Sequence, residues 1–177
     1  MKLGGKRFLL LQARKIGDPV AEHEVQCFAE SLGVDVGAIR VHNLLGGAPA
    51  ADEVESCDLI LVGGSGDYSV LDKMPWVSAF IGFMETVALA KTRPAFCSCF
   101  GFQALVLAGG GRVVHDSANT EVGSFEITLN EKGLRDPLLG PLAPAFYAQL
   151  GHKDRADQVP SGMTSLAASE RCAYQAL

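Results

Sequence analysis

Apolar positions along the chain fall into two recurring textures, unbroken short runs and stretches with helical spacing, and the two alternate. Arg7 to Gln12 (RFLLLQ) is a continuous apolar run, as expected of a strand buried on both faces of a parallel sheet. From Val20 to Leu32 the apolar residues recur at helical spacing. Val34 to His42 predicts a second strand and GGAPAADE a loop. Asp58 to Val62 (DLILV) predicts a third strand that runs straight into Gly63 and Gly64. Met74 to Ala90 predicts a helix, with Pro75 suited to a first turn and Pro94 just beyond the end.

Pro94 to Cys99 is a short apolar strand that passes through a tight turn into a further helical run, GFQALVLA, which the glycines at 109 to 111 stop. Beyond Gly111 the texture changes. Glu121 to Leu129 alternates like a half-exposed strand, Leu134 to Ala143 is short and proline-punctuated, and Phe146 to Leu150 is another strand candidate. Alternating β and α units predict an α/β fold, a three-layer doubly wound and mostly parallel sheet whose sites lie at the carboxyl ends of its strands. Gly63, Gly64 and Cys99 all stand at such ends.

Length and composition narrow the classes. At 177 residues the chain fits one domain, 1–177, and 48% hydrophobic against 20% charged residues is a globular balance. A net charge of -5 and no basic stripe argue against nucleic acid as a partner. No run nears the roughly 20 apolar residues that cross a bilayer, and the amino-terminal run is too short for a signal peptide, so a cytoplasmic location and no membrane partner are expected. The five cysteines are an odd number without an export signal, which reads as free thiols. Cys97 and Cys99 form CxC rather than CxxC, and no second pair stands at metal-ligand spacing, so no metal is expected.

Chemistry concentrates at the strand-to-helix turn. A cysteine there has its sulfur held clear of the sheet, beside free amides and the positive dipole end of a helix. Those groups favour a thiolate and supply part of an oxyanion hole, and Gly101 allows a close turn. The competing reading makes Cys97 and Cys99 small apolar residues that close a buried strand. Similarly, the glycines of Val62-Gly63-Gly64-Ser65-Gly66 could serve only a tight loop. A dinucleotide-binding loop is disfavoured, because GGSGDYS lacks a third glycine at the right spacing and a phosphate-binding lysine.

The string Cys99-Phe100-Gly101-Phe102-Gln103 resembles the CxGxQ signature of class I glutamine amidotransferases, and the chain is similar to that family along nearly its whole length. The resemblance implies a flavodoxin-like amidotransferase fold with a nucleophile elbow. It implies that Cys99 attacks the glutamine side-chain amide to form a thioester, releasing ammonia for a synthetase subunit or domain. By the same resemblance Gln103 helps shape the glutamine pocket, the amides of Phe100 and Gly64 are oxyanion donors, and Gly63 belongs to the same binding turn. Glu121-Val122-Gly123 resembles a segment whose backbone contacts glutamine, which places Glu121 and Gly123 at the substrate; otherwise Glu121 is a solvated loop carboxylate.

Gly151-His152-Lys153-Asp154 resembles a stretch that carries a histidine and an aspartate before a proline-glycine turn. As an imidazole, His152 is a candidate base for the cysteine, or else a structural histidine bonded to Asp154 or backbone. In the family the triad histidine and glutamate come from an HPE-type motif, one strand beyond the segment that Glu170 to Leu177 resembles. His23, His42 and His115 occupy positions unlike it. The expectation is therefore a domain that continues past Leu177, or an inactive one, with Glu170 to Leu177 read as an apolar strand cut at its edge. No cofactor is implied for the glutaminase half-reaction. Two alternatives stand beside it: a non-catalytic glutaminase-like binding module, and a γ-glutamyl hydrolase.

Overall fold

A computed structural model describes residues 3–177. The chain divides into two compact units, one ending at Ala108 and one spanning Gly109–Leu177.

The first unit is built on four parallel strands in the order β2-β1-β3-β4: β1 (Phe8–Gln12), β2 (Ile39–Asn43), β3 (Leu59–Val62) and β4 (Ala95–Cys97). Every pairing is parallel, and the first strand is buried at all five positions, which is why its sequence reads as an unbroken apolar run. Helix α1 (Val20–Leu32) covers one face, packing Ala29, Val25, Phe28 and Leu32 on Phe8, Leu10, Ile39 and Leu61. It ends at Gly33, whose φ of 64° suits the left-handed cap.

Strand alternation sends Ile60 and Val62 to the opposite face from Leu61. There Gly101 lies so close to Val62 that a methyl on it would come within 2.6 Å of the Val62 Cβ. This unit is α/β with a parallel sheet, as the sequence predicts.

Several local expectations are corrected. The second strand is shorter than Val34 to His42, because the Asp35 carboxylate accepts from the Gly37 amide and folds Val36–Ala38 into a 3-10 turn. The segment read as a loop contains helix α2 (Ala51–Glu55). Glu53 fastens it, accepting from the Ala50 amide at 3.1 Å while Arg40 and His42 approach its carboxylate at 3.0 and 3.1 Å. The long helix is α3 (Pro75–Met84) with proline in its first turn, continuing as a π-helical turn over Glu85–Leu89. The last helix of the unit, α4 (Phe100–Ala108), falls where the sequence places it.

The second unit is antiparallel. Strand β5 (Arg112–His115) pairs with β8 (Asp154–Gln158), while β6 (Glu121–Leu129) lies between β7 (Ala145–His152) and β9 (Ala167–Ala168). Ile127, Leu129, Ala167 and Phe146 form its apolar core. The first pair is absent from the sequence reading, because strands as short and polar as RVVH and DRADQ carry no period-2 signal. Glu170 to Leu177 is not a strand. Its backbone bridges Ala167 at Ala176 and accepts from the Ser169 amide at Cys172 O, and the Gln175 side chain reaches Glu121. Among the described residues no helix is long and apolar enough to cross a membrane.

Candidate active site

Cys99 sits at the junction of β4 and α4 with φ of 49°, one of two non-glycine residues with positive φ among the described residues. Such a conformation costs an L-residue roughly 1 kcal/mol, and it persists where the surroundings over-determine it. They do here. Ser98 donates its amide to Val62 O at 2.9 Å, Gly101 donates to Ser98 O at 2.9 Å, and Gln103 donates to Cys99 O at 3.0 Å. The chain is thus turned sharply from strand into helix, with Cys99 exposed and Phe100 buried behind it. Phe100 stacks on Phe80 at 5.7 Å and lies 5.9 Å from Trp76, which anchors the first turn of α4.

The leading amides of any helix, Phe100 first among them here, have no acceptor within the helix and face whatever lies before it. Gly64 approaches from the end of β3. A Cβ built on it would lie 3.5 Å from the Cys99 Cβ and 3.9 Å from its Sγ, so the bare backbone of Gly64 stands against the nucleophile candidate. Gln103, one helical turn beyond Cys99, is buried. Cys99, Gly63, Gly64, Phe100 and Gln103 therefore come together in the first unit.

The two thiols of the CxC string have different surroundings. Burial pushes the Cys97 thiol up to about 12, which leaves it protonated at any physiological pH. Cys57 and Cys172 are buried and their thiols are also raised by desolvation, whereas Cys27 is exposed beside His23. Iodoacetamide at pH 8 is therefore expected to label Cys27 and Cys99 and spare Cys57, Cys97 and Cys172. Peptide mapping checks this, and labelling of Cys97 at a rate equal to Cys99 would overturn the distinction.

The remaining sequence candidates lie in the second unit. Glu121 and His152 are cross-strand partners in register on β6 and β7. Glu121 is fully buried and not the solvated carboxylate of one sequence reading. It accepts from Ser169 Oγ at 2.7 Å and Gln175 Nε2 at 2.6 Å, so any contact of this segment with a ligand would fall to its backbone. His152 Nε2 stands 3.0 Å from the Glu121 carboxylate but is not aligned for a hydrogen bond, and that buried nitrogen has no other partner among the described residues. Its neighbour is Glu121; Asp154 instead accepts from His115 Nδ1 at 2.8 Å. Gly123 follows on the same strand with φ of 119°.

Sequence reasoning missed one feature of the first unit. Gln12, at the polar end of the otherwise apolar β1, donates from Nε2 to Glu24 at 2.8 Å and to Ala21 O at 2.9 Å. Arg14 reaches the same carboxylate from Nη2 at 3.2 Å and from Nε at 3.4 Å, and its other nitrogen lies 3.5 Å from Asp18. The Glu24 carboxylate lies directly over Gly63, where a Cβ would come within 2.7 Å of its carboxyl carbon. The only available signal was a glutamine closing a buried strand. Among the described residues no three His, Cys, Asp or Glu side chains group as a metal site.

No protein-family model matches the chain. It is 32% identical over 84 residues to one subunit of the glutamine-hydrolysing GMP synthase of Natronomonas pharaonis, covering 48% of this chain and 44% of that protein. It is 31% identical over 151 residues to the glutamine-hydrolysing GMP synthase of Thermosipho africanus, covering 85% of this chain and 25% of the other. The chain thus spans less than half the length of these two relatives. In three dimensions it is similar to a glutamine amidotransferase from Methylobacillus flagellatus, with a TM-score of 0.73 at 22% identity, over 96% of this chain and 64% of that one. Taken with the elbow at Cys99, the likeness in sequence and fold makes this chain a class I glutamine amidotransferase domain.

Proposed function

We propose that the chain hydrolyses the side-chain amide of glutamine through Cys99 and delivers the ammonia to a synthetase subunit or domain. The observation that carries this reading is the elbow: an exposed cysteine held at φ 49°, with Gly64 on one side and the start of α4 on the other. The sulfur attacks the amide carbon, and the carbonyl oxygen gains charge opposite the amides of Gly64 and Phe100. The carbon-nitrogen bond then breaks, the nitrogen takes a proton and leaves as ammonia, and a thioester to Cys99 remains. Water attacks that thioester, glutamate departs and the thiol is restored. Gln103, on the face of α4 one turn from Cys99, shapes the pocket, with Gly63 as a further contact.

His152 enters this reading as the candidate base. His152→Gln is then expected to lower the rate by about 100-fold, in keeping with general-base catalysis, and an unchanged rate assigns the base elsewhere. The reading as a whole is tested by ammonia release from glutamine, with asparagine as control and mass spectrometry of the acid-quenched protein. Ammonia from glutamine alone, with a glutamyl adduct on Cys99, is the expected result. Absence of both ammonia and adduct would overturn the enzyme reading in favour of a binding module.

A further inference from the structure

We infer that Glu24, clamped by Gln12 and Arg14, is a positioning residue that fixes the Gly63–Gly64 peptide and with it the amide of Gly64 opposite Cys99. The inference rests on the proposed role of that amide as an oxyanion donor. Two successive glycines form the most permissive backbone available, so a turn made of them has no intrinsic reason to keep one peptide orientation.

Three contacts restrain it here. Gly63 donates its amide to Leu11 O at 3.3 Å, continuing the β1–β3 ladder by one residue. The Gly63 carbonyl accepts from the Gly101 amide, also at 3.3 Å. In a planar trans peptide the amide of the next residue points opposite to that carbonyl, so this bond sets the direction of the Gly64 N–H. Both bonds are long, and the third contact supplies what they lack: the Glu24 carboxylate lies against the one face of Gly63 that a side chain would otherwise occupy.

The carboxylate is well suited to act as a stop. Glu24, Arg14 and Gln12 are nearly buried, and both Glu24 oxygens are bound, one by Arg14 Nη2 and the other by Gln12 Nε2 and Arg14 Nε. Arg14 is itself tethered, since its backbone oxygen accepts from Asn43 Nδ2 at 2.7 Å. A bare carboxylate beside a developing oxyanion would oppose the reaction, and the paired guanidinium offsets that charge. The cluster therefore offers a rigid, neutralised surface against the turn, and a Cβ at position 63 would have to displace the Glu24 carboxylate.

The test uses the full chain with Glu24→Ala, which removes the stop, Glu24→Gln, which keeps its shape, and Glu24→Asp, which keeps its charge but withdraws it. Two readouts are taken: kcat and KM for ammonia release, and hydrogen exchange of the Gly64 amide by NMR. Misplacement of a catalytic group by about 1 Å can cost on the order of 100-fold. Glu24→Ala and Glu24→Asp are expected to lower kcat by roughly 30-fold with KM within about 2-fold, the signature of an interaction made in the transition state. Both should speed exchange of the Gly64 amide, while Glu24→Gln, which fills the same space but turns one acceptor into a donor, should lie closer to the parent than either. If Glu24→Ala does not fold, Glu24→Asp carries the comparison.

A folded Glu24→Ala or Glu24→Asp protein with parental kcat and parental Gly64 exchange overturns the inference. So does a change in KM instead of kcat, or a loss of rate with the Gly64 amide unchanged. If the parent releases no ammonia, the glutaminase reading fails on its own, and exchange at Gly64 alone decides whether Glu24 holds the turn.

Discussion

Cys99→Ala is expected to reduce ammonia release from glutamine to the background of the uncatalysed reaction, a loss of at least about 10,000-fold for removal of an obligatory nucleophile, while Cys97→Ala retains most of the parental rate. The two residues are separated only by Ser98, so the contrast tests the elbow and not mere proximity to it. Cys97 is the last residue of β4, its thiol held protonated by burial. Cys99 is exposed at the turn, against the backbone of Gly64. Alanine at 99 keeps the backbone conformation at a similar conformational cost, so the melting temperature should hardly move. Equal losses of activity in the two variants would sink the assignment.

The second large effect is on stability. Glu121→Leu is expected to destabilise the second unit by about 2–4 kcal/mol, the cost of removing the acceptor of two buried donors at about 1–3 kcal/mol each. The glutamate accepts from Ser169 and Gln175 and has His152 beside it. Leucine would leave Gln175 Nε2 with only Ser169 Oγ at 3.0 Å and Ser169 Oγ with only a long contact to Cys172 O at 3.5 Å, and these side chains pin the segment after β9. For a chain of this length that translates to a fall in Tm of roughly 10 °C. Hydrogen exchange localises it: amides of Glu121–Leu129 and Ala145–His152 should lose protection, whereas those of Phe8–Gln12 should not. An unchanged melt would show that the cluster contributes no net stability.

Sequence alone made the first unit legible and the second only in outline, for reasons visible residue by residue. Phe8–Gln12, Val20–Leu32 and Phe100–Ala108 have apolar patterns that one period explains, because each buries a whole strand or a whole helix face. The turn at Asp35 and the helix at Ala51–Glu55 escaped, because side-chain to backbone bonds of Asp35 and Glu53 decide them, not hydrophobicity. Glu170 to Leu177 misled for the opposite reason: its apolar residues suggest a strand, but Gln175 and Ser169 fix the path by reaching Glu121.

At the site, Cys99 and Gly63–Gly64 were readable because each follows an apolar strand directly. The arrival of Glu24 over Gly63 was not. It depends on how α1 lies across the carboxyl end of the sheet, which no local pattern encodes. The burial of Glu121 was likewise hidden, since its donors sit far along the chain.

The left-handed backbone at position 99 bears on how this protein can be improved. Glycine would occupy that conformation without steric penalty, so selection for thermal endurance alone pushes residue 99 towards glycine and away from cysteine. A Cys99→Gly protein would shed that strain, set against glycine's extra unfolded-state entropy, and would lose the sulfur that the proposed reaction needs. Stabilisation campaigns scored only on melting carry no selection for the proposed nucleophile at this position, and should hold residue 99 fixed.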